Sequence, residues 1–172
     1  MEKRINEKEF INPRGIGSEI PHYVLDYPAT DETQVRIYIK SLLERTHLNI
    51  KEINLFYFLL SLFEEDEVEE LIEISEKEGF KGISDVVGPI LNEEETLVDS
   101  FIEETEDAEI IFITGVGNAY PFLKSSQLLS LIANKGYRKP IVLFYPGYFT
   151  GLELKLFNIL NNEDKYQLSR IS

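Results

Sequence analysis

With 172 residues, no cysteine, 43% hydrophobic and 12% aromatic residues, the chain has the size and make-up of one folded domain spanning residues 1–172, and it lacks the residue needed for disulfides, thiolate metal sites or a cysteine nucleophile. The formal net charge of −14 sets an acidic surface against nucleic acid and anionic membrane, and no run approaches the roughly 18 apolar residues of a membrane span. The charged N-terminus has no apolar stretch behind it and so is not a signal peptide; a cytoplasmic protein is expected.

The charge is concentrated. Residues 64–109 hold 19 acidic residues against Lys77 and Lys81, a net charge of −17, while the segments on either side are close to neutral or mildly basic. Such a segment is either a solvated helical face or a surface that steers a basic protein partner.

In chain order, Asn12-Pro-Arg-Gly-Ile-Gly17 reads as a loop; it lacks the Gly-Lys-Ser/Thr ending that would make it a phosphate loop. Ile20–Pro28 reads as a first strand with Asp26 near its carboxyl end, a position for a turn or cap residue or for a carboxylate facing a ribose or a metal-bound water. Asp31 is placed to cap a helix in which Val35, Ile39, Leu42 and Leu43 recur at helical spacing to about Arg45. Ile50–Leu55 alternates as a second strand, and Phe56–Phe63 is apolar almost all round, as in a buried helix. Glu67–Glu78 has its apolar residues on one face. Gly79 and Gly82 act as breaks, after which Ile83–Leu91 and Leu97–Glu104 continue as helices. Carboxylate pairs such as Glu69/Glu73 and Glu94/Asp99 fit a solvated helical face and need no acid–base role. His22 and His47 stand apart from other metal-ligand types and read as structural.

The stretch Glu109–Phe122 is the most informative. Its β-branched apolar half is a buried strand, followed by the turn Gly115-Val-Gly117-Asn-Ala-Tyr120 and Pro121 at a first helical position. Phe122–Ala133 then reads as a helix with Leu128, Leu129, Leu131 and Ile132 apolar, and Asn134-Lys-Gly136 as its stop. Pro140–Gly147 is another apolar strand ending in a turn, Leu152–Leu160 a short helix, and Tyr166–Ile171 a last strand. If the two apolar strands are parallel neighbours, Gly115–Tyr120 and Tyr145–Gly151 share one edge of the sheet. The expected fold is α/β: three layers around a mostly parallel, Rossmann-like sheet of about five strands, with an acidic helical insert.

The glycine turn begins like a dinucleotide fingerprint but has tyrosine at the third glycine position, and it is not a Walker A loop because its first lysine is Lys124. No Ser/His/Asp set, metal cluster or nucleophile elbow is present, so no catalytic residue, metal or cofactor is assigned and no enzymatic activity is expected. The C-terminal third is modestly basic and aromatic, with Tyr120, Phe122, Lys124, Arg138, Lys139, Tyr145, Tyr148, Phe149, Lys155 and Arg170. That composition suits either core packing or a single-strand nucleic-acid binder.

Taken together, Ile113-Thr-Gly-Val-Gly-Asn-Ala-Tyr-Pro-Phe-Leu-Lys-Ser125, Val142-Leu-Phe-Tyr-Pro-Gly147, Gly151 with Leu156-Phe157, and Gly15-Ile-Gly-Ser-Glu-Ile-Pro21 leading into Asp26-Tyr27 resemble the BrxB family of bacterial BREX (bacteriophage exclusion) defence systems. The family commonly has arginine where Lys124 stands and a Tyr-Tyr-Arg-like ending where this chain has Lys165–Arg170. Lysine keeps the charge but loses the bidentate fork. The resemblance implies a non-catalytic partner of the PglZ alkaline-phosphatase-like protein, with the ATPase and methyltransferase components as further partners, in an assembly that blocks phage and methylates host DNA. It makes Gly115, Gly117, Tyr120, Pro121, Lys124, Tyr145, Pro146, Gly147 and Arg170 candidate docking residues. The alternative is a nucleotide- or nucleic-acid-binding module using the Gly115/Gly117 and Gly147 turns.

Overall fold

Two β-branched apolar runs set the architecture. Ile110–Thr114 (β3) is buried at every position and Ile141–Phe149 (β4) at every position except Tyr148, which is the signature of strands covered on both faces. The computed structural model describes residues 1–7, 10, 20–158 and 160–171; the loop read at residues 12–17 lies outside them. β3 and β4 pair in parallel, flanked by β2 (Ile50–Asn54) beside β3 and β1 (His22–Tyr27) beside β4. The short β7 (Ser169–Arg170) pairs in parallel with β1. The parallel order is β2-β3-β4-β1-β7.

Side chains of alternate parity leave the sheet on opposite faces. Ile110, Phe112, Val142 and Phe144 meet Ile39 and Leu42 of α2 (Glu32–Arg45) and Ile5 of α1 (Glu2–Ile5). Ile111, Ile113, Ile141 and Leu143 meet the other helical layer. That layer contains α3 (Leu55–Leu60), α4 (Glu65–Leu91), α5 (Glu94–Glu104) and α7 (Ser125–Asn134), with the short α6 (Val116–Ala119) at the end of β3. The path from β1 to β2 crosses three strand positions under α2, then returns one strand at a time beneath the opposite layer. Reversing direction while changing faces keeps each crossover right-handed. The three-layer, mostly parallel α/β fold is therefore the one expected.

Four local expectations are corrected. Leu152–Leu160 is not a helix: Glu153–Leu156 (β5) pairs antiparallel with the extended end of β4, and Leu160–Lys165 (β6) pairs with β5. Leu154 and Leu156 are buried while Glu153 and Lys155 are half-buried, a period of two that fits a strand. Pro121 does not open a helix; it follows α6 across a cis peptide, and α7 begins at Ser125. Gly82 does not break α4. Only Gly79 does, with φ +64, while a Cβ on Gly82 would lie 2.6 Å from Ile74 Cγ2, so glycine there admits the first half of the helix against the second. Regular pairing near the C-terminus is confined to Ser169–Arg170.

His22 is structural, as expected. It is buried at the start of β1, with Nδ1 2.5 Å from Tyr166 Oη. Since Tyr166 Oη donates to Leu129 O at 3.2 Å, His22 Nδ1–H donates to Tyr166, and among the described residues Nε2 has no partner. Burial, and then the nearby positive charge of Arg138, lower its pKa from 6.5 to about 3. The unfolded chain therefore takes up this proton before the folded chain does, and stability is full above about pH 6.5 and lost as the pH falls toward 3. Thermal denaturation between pH 7 and pH 4 is expected to show a slope of up to about 1.4 kcal/mol per pH unit. His22→Gln should flatten most of it; an unchanged slope would place the pH dependence elsewhere.

Candidate functional site

In open parallel α/β sheets, ligands bind beyond the carboxyl ends of the strands, and here that edge is filled by the protein itself. Gly115 leaves β3 in the left-handed region with φ +69. A Cβ on it would sit 2.3 Å from Asn54 Oδ1. Asn54 ends β2 and caps α3, its Oδ1 accepting from Phe56 N–H at 3.1 Å and Tyr57 N–H at 3.4 Å. Glycine is thus required twice at position 115, for its backbone angle and for the carboxamide lying against it.

Gly117 is closed in the same way. A Cβ there would lie 2.8 Å from Phe157 Cζ and 3.7 Å from Pro146 Cγ. Phe157 occupies the β5–β6 turn at φ +54, and its N–H donates to Pro146 O at 3.0 Å. At Gly147 the intruder is backbone: a Cβ would meet Lys155 O at 2.2 Å, where β5 crosses the end of β4. The two glycine turns do share an edge, and protein atoms fill the space beside their α-carbons.

The remaining candidates divide by exposure. Tyr145 is wholly buried and Pro146 is buried, so both contribute to packing rather than to a surface. Tyr120 and Lys124 are half-buried, and Pro121 is exposed. Arg170 is half-exposed and engaged: Nη2 donates to Asp26 Oδ2 at 2.9 Å and to Phe149 O, and the guanidinium lies 5.6 Å from the Tyr148 ring centroid. Asp26 Oδ2 also accepts from Phe149 N–H at 3.0 Å. Asp26 is thereby a tie between β1, β7 and the end of β4, a structural part other than the turn or cap residue read from the sequence.

Three residues matter here that the sequence did not single out. Asn54 carried a signal, since asparagine ahead of an apolar helical run is a cap pattern, but strand alternation continued through it. Phe157 was visible only as part of a motif. Phe80, on α4, is 58% exposed yet stacks on Phe122 with ring centroids 5.1 Å apart, a contact between segments 42 residues apart that no local pattern carries.

This geometry defines a parallel α/β domain whose glycine turns at the carboxyl edge are packed with the protein's own atoms and whose α4 exposes Ile72, Phe80 and Val86 within an acidic segment. The family model described as "BREX protein BrxB" matches residues 51–171, and the chain belongs to that family. Two relatives named "BREX protein BrxB" are each 28% identical. The one from Bacillus cereus (strain H3081.97) aligns over 95% of this chain and 90% of its own length, and the one from Escherichia coli O9:H4 (strain HS) over 99% and 88%. No solved structure matches.

Gly115→Ala is expected to cost about 2 to 4 kcal/mol, combining about 1–3 for a strained left-handed residue with about 1 for a displaced cap. Urea denaturation measures it; a loss below 0.5 kcal/mol would mean that Asn54 does not pack as described.

Proposed function

We propose that this chain is a non-catalytic interaction subunit of a BREX-type phage-defence assembly, docking a PglZ-type, alkaline-phosphatase-like component and supporting phage restriction and host DNA methylation. Family membership supports the assembly, and the surface supports docking. A solubilising acidic face has no need of exposed aromatic or aliphatic side chains, yet α4 exposes Ile72 and Phe80, each at 58%, Ile72 between glutamates and Phe80 just after Glu76 and Glu78. A contiguous apolar patch rimmed by charge is where a partner would seat.

The observation that carries the reading is the Phe80–Phe122 stack. It joins the acidic insert to the Tyr120–Lys124 segment, so that Pro121, Phe122 and Phe80 form one apolar centre beside a strongly negative helix. A partner fitted to it offers an apolar anchor within a basic rim, the charges speeding and orienting encounter and the anchor holding the complex. The nucleotide alternative loses its basis where Asn54, Phe157 and Lys155 O fill the glycine positions.

The test is co-expression of the full chain with the PglZ-type protein of the same defence locus, followed by size-exclusion chromatography and calorimetry. Co-elution is expected. Phe80→Ala should weaken binding by about 2 kcal/mol and Glu69→Lys/Glu76→Lys should slow association, with no change in the chain's own melting temperature beyond that of surface variants. Two proteins that elute separately, or affinities untouched by either change, would overturn the proposal.

A further inference from the structure

We infer that the outer edge of β2 takes up an extended, basic segment of a partner protein as an added strand. This rests on reading the chain as an interaction subunit, and it assigns a second surface apart from the Phe80–Phe122 centre.

β2 ends the sheet. β3 pairs with its inner side, and among the described residues nothing pairs with the outer one, so alternate backbone N–H and C=O groups along Ile50–Asn54 are open to another strand. Added strands are held chiefly by these main-chain groups, and side-chain pockets beside the edge choose the sequence. Such a pocket is present: an open groove of about 490 Å³ is lined by Glu52, Ile53, Asn54, Tyr57, Phe58 and Glu104. Ile53 and Phe58 are buried beneath it, and the Tyr57 ring stands 66% exposed.

The charges choose the occupant. Glu52 is exposed and accepts from Thr114 Oγ1 at 2.7 Å, a neutral partner. Glu104 has Lys51 Nζ at 3.4 Å. Lys51 thus answers Glu104 alone, and Glu52 has no cation in salt-bridge reach among the described residues, next to a segment with net charge −17. A lysine or arginine on the incoming strand finds carboxylates and the face of Tyr57, and its apolar neighbours find Ile53 and Phe58.

A second copy of this chain fits poorly. Two antiparallel strands related by a two-fold axis normal to the sheet pair residues of the same parity, and the register that covers all of Ile50–Asn54 places Glu52 opposite Glu52. Shifting the register to centre on the preceding residue places Lys51 opposite Lys51. Like charges directly opposed destabilise a strand pair, so the same residues that keep copies apart admit a cationic strand.

The test uses the full chain and a capped octapeptide alternating lysine or arginine with valine. Fluorescence anisotropy at low salt and amide hydrogen exchange are read together. The expected result is binding with slowed exchange at Ile50–Asn54, weakened about tenfold or more when glutamate replaces the basic residues of the peptide. Methylating alternate peptide nitrogens along one edge should abolish binding, while methylating the other edge should not. Glu52→Gln/Glu104→Gln, which leaves Thr114 its acceptor, should weaken binding, and Tyr57→Ala should do so from a largely exposed position. Phe80→Ala should leave peptide binding intact, so a failure of the docking proposal above is distinguishable from a failure of this one. Absence of binding, protection confined to α4, equal responses from both methylated peptides, or exchange protection that arises from self-association without peptide would each overturn the inference.

Discussion

The contact between the Asn54 carboxamide and the bare α-carbon of Gly115 is the constraint on which the carboxyl edge of the sheet depends. One side chain ends β2, caps α3 and fills the bend where β3 turns into α6. Because the bend is left-handed and occupied, β3 leaves the sheet in a single direction, and the following segment carries Phe122 to the insert side. Phe157 repeats the arrangement at Gly117, and Arg170 with Asp26 closes the β1 end. Three interlocks therefore occupy the region where many parallel α/β proteins hold a phosphate or a cofactor. What remains for recognition is on the outside.

Much of the frame was legible because burial on both faces forces apolar, β-branched strands. β3 and β4 are such runs, and α2 repeats Ile39 and Leu42 at the spacing its single buried face demands. The glycine turn was legible as a turn for a local reason, backbone freedom. That it is filled was not, because its occupants lie 61 residues before Gly115 and 40 residues after Gly117 in sequence. The segment after Gly151 misled for a related reason. Leu152, Leu156 and Leu160 recur every four residues and suggest a helix, whereas Leu154 and Leu156 are turned inward by pairing with the end of β4, a partner that no local window contains. Gly82 shows the converse case, a helix-breaking residue kept within a helix because Ile74 needs the space.

The charge of this BrxB-family chain is unevenly placed. The excess negative charge lies on α4, α5 and their connections, the layer that also exposes Phe80 and Ile72 and meets β2 where Glu104 pairs with Lys51. The same layer reaches the segment after the glycine turn, where Phe80 stacks on Phe122. The relatives at 28% identity align over 90% and 88% of their own lengths.

The central claim is that the glycine turns are closed by the protein's own atoms, at Gly115 by the Asn54 side chain, and a double-mutant cycle at positions 54 and 115 tests it most directly. Asn54→Gly removes the carboxamide, Gly115→Ala adds the methyl that collides with it, and the double variant carries both changes. If the two groups are packed together, the second substitution costs less once the first is made, and denaturation should give a coupling energy above about 1 kcal/mol, within the range for residues in contact. Strict additivity would show that the space beside Gly115 is open and would return the turn to the class of ligand cradles.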